Sequence, residues 1–383
     1  GVQTCALPIF TIVQGAFLPV PPLRGGAIEK AFHSLAQEFA KVGHKVTYVS
    51  RQCDGLPEQE TENANLTHTR IKGYDASDSL LKFKWQDLLY SIRARQILPI
   101  ANILITHTFW LPILATKPQK HGATYVHVGR SPKGQMRFYK NAARLQTVSS
   151  PIAQAIQKEI PSNRQGQVKV LPYPLDPSFI EKQLSENPRR KRILYTGRIH
   201  PEKGINLLIK SFVNLPDSLK GQWELKIIGP WKEEQGGAGS VYMETLRSLA
   251  SGVENVHFQN PIFDQAKLIH EYDRAAIFVY PSLAEHGETF GLAALEAMSR
   301  GCLTLVSDLA CFKDFINEGV NAFSFNHRVN EPEQVLGQKL KAIIQAYETR
   351  NPVSEKAVAT ATAYSPQIVS QEFLKDFEAI IGI

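Results

Sequence analysis

With 383 residues the chain is too long for one ordinary core and suits two domains, each able to bury a sizeable apolar interior. Its 43% hydrophobic and 21% charged residues are those of a globular protein, and no apolar run approaches the roughly eighteen residues that span a bilayer, which excludes an integral helical membrane protein. Forty-three Lys and Arg against 36 Asp and Glu leave a net charge of +7, which favours anionic partners such as nucleotides, phospholipid surfaces or nucleic acid without choosing among them.

The first nine residues, GVQTCALPI, match one reading frame of a widely used sequencing adaptor. They lack the basic and long apolar regions of a signal peptide and are expected to be an artefact with no reason to pack. On this reading the natural chain begins near Phe10 and Cys5 carries no meaning. FTIVQGA (10–16) then reads as a buried strand, GGAIEKAFHSLAQEFAKVG (25–43) as an amphipathic helix closed by Gly43, and HKVTYVS (44–50) as the next strand. Further strand-like runs lie at 102–107, 122–128, 144–149 and 167–172, most of them separated by helical patterns. This alternation predicts a parallel sheet with helices on both faces. Prolines in LPYPLDPSF (171–179) and the charged SENPRRKR (185–192) mark a linker, after which a second alternating series runs through 192–198, 223–230, 255–260, 276–282 and 303–308. The predicted domains are therefore 10–172 and 173–364, with an amphipathic helix at 365–383 returning to the first half. The cysteines at 53, 302 and 311 show neither metal-ligand spacing nor a disulfide pattern, which suits a reducing cytoplasm.

In open α/β sheets ligands bind beyond the carboxyl ends of the strands, so the loops there carry the chemistry. In PVPPLRGGAIEK, Gly25 and Gly26 let backbone approach a ligand at a helix start, where free N–H groups favour an anion such as a diphosphate. A tight strand-to-helix turn would look the same, and no G-x-G-x-x-G is present to support a dinucleotide dehydrogenase. In TGRIHPEKG, Arg198 and Lys203 flank a helix start and could stabilise a phosphate leaving group, although either alone would pass for a surface ion pair. In EHGETFGLAALEAMSRG, Glu288 and Glu296 stand eight positions apart. A fully helical stretch would set their Cα atoms roughly 12 Å apart. Carboxylate pairs that share one glycosidic bond lie about 5–9.5 Å apart, so two ends of one elongated ligand fit better.

Together these loops resemble the glycosyltransferase family 4 group of retaining, nucleotide-sugar-dependent enzymes. Its fold, GT-B, sets two Rossmann-like parallel-sheet domains facing a central cleft. The resemblance covers nearly the whole chain from Phe10, most specifically in ETFGLAALE (288–296) and GRIHPEKG, with RGGAIEK, TVSSPIAQAI and VLPYPLD in the expected order. It implies that Glu296 meets the nucleotide ribose, while Glu288 and the backbone of Phe290, Gly291 and Leu292 meet the donor sugar and diphosphate. Arg198 and Lys203 match phosphate-binding cations, and Gly25 and Gly26 the first-domain loop against the diphosphate. His127, in YVHVGR, matches a histidine near the reacting sugar, with His107 a weaker candidate; either would otherwise read as a satisfied core histidine.

Arg198, Lys203, Glu288 and His127 are thus the expected catalytic residues. No metal and no cofactor are expected, because no D-x-D pair or His/Cys ligand cluster is visible in the sequence. The expected partners are a nucleotide-diphosphate sugar and a glycan or lipid-linked acceptor, in polysaccharide, lipopolysaccharide or glycolipid assembly; nucleic acid is not expected, since the positive charge is scattered. Arg130, Lys133 and Arg137 could read an anionic acceptor or form a solvated face. LLKFKWQDLLYSIRAR (80–95), with Lys82, Lys84, Trp85, Arg93 and Arg95, fits a helix at the inner face of a membrane. The preferred reading is an ordinary packing helix with Trp85 buried. Two alternatives share the architecture: a sugar-nucleotide epimerase, which would act on donor alone, and a nucleotide-sugar-binding subunit without turnover.

Overall fold

The computed structural model describes residues 7–23, 26–77, 79–115, 117–181, 189–349 and 351–382. Contacts divide the chain into unit 1, Gly1–Asp176 with Ser365–Ile383, and unit 2, Pro177–Tyr364. Each is a Rossmann-like α/β unit, the expected fold class.

Unit 1 holds β1 (Phe10–Val13), β2 (Val46–Arg51), β3 (Gln59–Asn63), β4 (Leu66–Ile71), β5 (Ile103–Thr106), β6 (Ala123–Val128), β7 (Arg144–Thr147) and β8 (Val168–Val170). They are ordered β3-β4-β2-β1-β5-β6-β7-β8, parallel except that β3 runs antiparallel to β4. The sequence reading missed β3 and β4. QETEN is polar throughout and mostly exposed, as an edge strand can be, and LTHTRI alternates too weakly to stand out. Unit 2 holds β9 (Arg190–Thr196), β10 (Glu224–Ile228), β11 (Val256–Gln259), β12 (Ala275–Tyr280), β13 (Leu303–Ser307) and β14 (Phe323–Phe325), all parallel in the order β11-β10-β9-β12-β13-β14. The three-residue β14 was also missed, being too short to show a period.

Both sheets wind outward from a central pair. In unit 1 the chain leaves β1 toward β2 and later restarts on its other side at β5; in unit 2 it leaves β9 toward β10 and restarts at β12. The loops after β1 and β5, and after β9 and β12, therefore part in opposite directions and leave a crevice at the switch point. Every loop singled out above follows β1, β9 or β12.

Three further features bear on the predictions. Residues 7–9 do pack: Pro8 is buried and its carbonyl accepts from His44 Nδ1 at 2.9 Å, while the Ile9 N–H donates to Asn102 Oδ1 at 2.7 Å. For Pro8 and Ile9 this corrects the expectation that the segment has no reason to pack, because backbone ahead of a strand can extend its bonding whatever its side chains are; residues 1–6 lie outside the described residues. Trp85, expected to be buried, is 60% exposed on helix Leu80–Ile97. That helix buries Asp87, Tyr90, Ser91 and Ala94, toward its second half, and leaves Leu80 and Leu81 in solvent. The last helix, Pro366–Ile381, packs within unit 1, where Phe377 lies 5.0 Å from Phe10 between ring centroids. Its Asp376 accepts from Tyr125 and from two nitrogens of Arg144.

Candidate functional site

β9 is followed by Gly197 and Arg198, and a short 3-10 turn, Pro201–Lys203, carries Lys203 into the start of the next helix. Gly204 makes that turn possible: its φ is +65°, and a Cβ there would stand 2.1 Å from the Pro281 carbonyl oxygen. The β9 and β12 loops are thus pressed together backbone to backbone, and the Leu283 N–H donates to the Glu202 carbonyl at 2.7 Å. Lys203 is buried, and its Nζ donates to Glu288 Oε2 at 2.7 Å. The Tyr280 hydroxyl donates to the same oxygen at 3.0 Å, and the Lys203 ammonium lies 5.5 Å from the Tyr280 ring centroid. Burial, then the Glu288 charge, pushes the Tyr280 hydroxyl well above the usual tyrosine range and keeps it a donor. Arg198 is more open, bonded to Glu202 at 2.7 Å and to the Gly236 carbonyl at 2.9 Å.

Glu288 lies in the loop before the helix, which runs only Leu292–Ser299 and holds Glu296. The fully helical geometry assumed for this stretch is therefore corrected. Gly291 causes the break: it caps the helix at φ +89°, where a Cβ would meet the Phe312 ring at 2.3 Å. The Phe290 side chain is core, its ring 5.8 Å from that of Phe315 between centroids. Only its backbone, with Gly291 and Leu292, can face a ligand, because the first N–H groups of a helix have no partner within it. Glu296 Oε2 accepts from the Tyr272 hydroxyl at 2.9 Å, and that hydroxyl is 2.5 Å from Thr196 Oγ1 at the end of β9. Burial, then Glu296, raises the Tyr272 hydroxyl well above its ordinary range.

In unit 1 a cavity of about 750 Å³ opens over the ends of β1, β5 and β6. Aromatic side chains, among them Phe17, Phe83, Phe109 and Tyr139, form much of its wall, with Glu29, His107, His127 and Arg130 as polar members. His127 is already engaged: Gln146 Oε1 lies 2.6 Å from Nδ1 and the Tyr173 hydroxyl 2.9 Å from Nε2. Since the Gln146 amide donates its own hydrogens to Thr147 and Leu171 carbonyls, Nδ1–H donates to Gln146 and Nε2 accepts from Tyr173. Burial holds His127 at about 4, so the ring is neutral. This is the bonding of a satisfied core histidine, and proton transfer by His127 has no free nitrogen to use. His107, ranked lower from sequence, has no hydrogen-bond partner at either ring nitrogen, and burial, then His127, lowers its pKa well below the usual range. Gly26 has φ +104°, and a Cβ there would lie 2.1 Å from Glu29 Oε2. Gly25 falls outside the described residues.

The structure thus gathers Arg198, Lys203, Glu288, Glu296 and the backbone of 290–292 in unit 2, and Gly26 with His127 in unit 1. Sequence reasoning missed Glu29, Tyr272, Tyr280 and Asp87. Glu29 was legible as a polar residue entering an apolar helix; Gln14 donates to it at 2.9 Å, and burial raises its pKa. The tyrosines sit in strand and helix patterns that read as core. Asp87 lines the cavity and accepts from the Phe109 and Trp110 N–H groups; burial raises it to about 6.

Over 97% of its length the chain resembles a glycosyltransferase of Rickettsia africae, with a TM-score of 0.73 at 16% identity over 98% of that chain. It also resembles an Anabaena protein solved with UDP and glucose, with a TM-score of 0.68 at 14% identity, covering 97% and 99% of the two chains. Among sequences, it is 21% identical to a lipopolysaccharide 1,2-N-acetylglucosaminetransferase of Salmonella typhimurium over 95% of this chain and 96% of the relative. It is 26% identical to a phosphatidyl-myo-inositol mannosyltransferase of Mycobacterium leprae over 52% and 49%. Residues 177–359 match the family described as "Glycosyl transferases group 1", a span that includes Arg198, Lys203, Glu288 and Glu296.

Proposed function

We propose that the protein is a retaining glycosyltransferase that moves a hexosyl group from a UDP- or GDP-sugar to a glycan or lipid-linked acceptor in polysaccharide, lipopolysaccharide or glycolipid synthesis. The observation that carries this reading is the convergence of Arg198, Lys203 and Glu288 with Glu296 at the β9/β12 switch point, inside the matched domain. Glu296 accepts from the ribose hydroxyls, and the N–H groups of 290–292 meet the diphosphate. An ammonium carries three donors, of which the bond to Glu288 uses one, so Lys203 keeps donors for phosphate oxygens. As the bond from the sugar C1 to the diphosphate oxygen breaks, Arg198 and Lys203 stabilise the growing negative charge. The acceptor oxygen bonds to C1 on the same face, and its proton passes to the departing phosphate oxygen. No metal enters this scheme. The unit 1 cavity takes the acceptor: its aromatic walls suit a sugar or an apolar aglycone. His127 enters as a contact of the sugar rather than as a proton carrier.

A lipid-linked acceptor fits the start of helix Leu80–Ile97, where Leu80, Leu81 and Trp85 are 66%, 82% and 60% exposed and flank Lys82 and Lys84. No described helix is long and apolar enough to cross a membrane, so this contact is peripheral. A thermal-shift screen against UDP-, GDP- and ADP-sugars tests the donor. At a ligand concentration a hundredfold above Kd the correct one stabilises the fold by about 2.7 kcal/mol, and no shift with any sugar nucleotide would defeat the proposal. Sedimentation with anionic vesicles tests the membrane contact: Leu81→Ser with Trp85→Ser should release the protein from the pellet without lowering its stability.

A further inference from the structure

We propose that unit 1 holds a divalent transition-metal site, best suited to Zn²⁺, formed by His33, Glu62 and His68. They come from three elements: His33 from helix Ala27–Lys41, and Glu62 and His68, six positions apart, from the paired strands β3 and β4. Nε2 of His33 and Nε2 of His68 lie 2.9 and 2.7 Å from the same oxygen, Glu62 Oε2. All three ligand atoms fall within 4.8 Å of one another. Ligand atoms on a tetrahedral zinc, at about 2.0–2.1 Å from the ion, are roughly 3.3 Å apart, so small side-chain rotations open the cluster to an ion. Two imidazole nitrogens and one carboxylate oxygen are a donor set for the borderline divalent metals.

The surroundings hold these groups in place. Gln37, one helical turn beyond His33, donates to Glu62 Oε1 at 2.6 Å, which orients the carboxylate and leaves Oε2 toward the imidazoles. The His68 ring is buried and stacked 5.7 Å from Tyr48 between centroids. The Glu62 and His33 side chains are 26% and 14% exposed, so an ion can enter and water can complete its shell. None of the three is among the residues lining the unit 1 cavity, so the ion would tie the first helix to the sheet edge rather than take part in transfer.

Equilibrium dialysis of the tag-free, chelator-stripped full chain against zinc sulfate at neutral pH tests this, with metal content read per chain. The expected result is about one ion per chain, with affinity lowered at least tenfold by His33→Gln or Glu62→Gln, and about tenfold by Gln37→Ala, which removes no ligand. Cys53→Ser should change nothing, which separates the site from the partly exposed thiol. Cobalt(II) should give a visible ligand-field band that the His33→Gln variant loses. Failure of the wild-type chain to retain zinc, or equal retention by the His33→Gln and Glu62→Gln variants, would overturn the proposal.

Discussion

Lys203 and Glu288 show what one contact changes. Taken from sequence as separate ligand groups, they form a 2.7 Å ion pair with side chains only 8% and 11% exposed. Lys203→Ala removes the cation from the leaving diphosphate and also leaves Glu288 with less compensation, so kcat should fall roughly a hundredfold or more. On the proposed function, Glu296→Ala removes bonds made equally to the bound donor and the transition state. It should mainly raise the donor KM, by about 1.5–3 kcal/mol, with kcat less affected. Steady-state kinetics with donor and acceptor varied separately distinguish the two, and unchanged constants in both variants would remove these residues from the site. Asp87 supplies a pH test. Its pKa is raised from 3.8 to about 6, so the folded state prefers it protonated. The stability it contributes is full below about pH 4 and is lost as pH rises through 6, a change of about 3 kcal/mol for a buried group. Urea titrations should therefore show wild type losing up to that much relative to Asp87→Asn between pH 4 and 7.

At the scale of elements, the last helix is secured to the first sheet by a buried charge network as well as by Phe373 and Phe377. Asp376 is 6% exposed and satisfies Tyr125 and Arg144 together. Asp376→Ala leaves a mostly buried guanidinium and a buried hydroxyl without that partner and should cost about 3–5 kcal/mol. A drop in Tm measures it; a loss below about 1 kcal/mol would place the pair among weak surface bridges. Helix Leu80–Ile97 shows the opposite arrangement: Phe83 stacks on Phe17, while Leu80, Leu81 and Trp85 in its first turns stay mostly exposed.

For the whole molecule, chemistry and metal binding are expected to be separable. The groups of unit 2 proposed to face the phosphates are cations and backbone donors, and His33, Glu62 and His68 of unit 1 are not among the residues lining its cavity. Adding EDTA to the assay should leave transfer intact. Loss of turnover that added Mg²⁺ or Mn²⁺ restores would show a metal on the diphosphate and contradict the assigned mechanism.

The sequence alone determined the alternation of strand and helix, the two-unit α/β class and the loops that carry the candidate site. These are local properties: burial of a parallel strand writes a continuous apolar run, and a loop that approaches a ligand needs glycine and charge at fixed spacing. Polar β3, three-residue β14 and the bonded tail at Pro8 and Ile9 wrote no such pattern. What only the tertiary structure decided are relations between distant positions. Lys203 meets Glu288 across 85 residues because the switch point brings the β9 and β12 loops together. His127 gives its nitrogens to Gln146 and Tyr173 and leaves His107 as the unbonded imidazole, a choice set by strand register rather than by composition. His33 joins Glu62 and His68, already neighbours through the β3–β4 pairing, only when the first helix is laid on the sheet edge, so no ligand spacing along the chain announces the cluster.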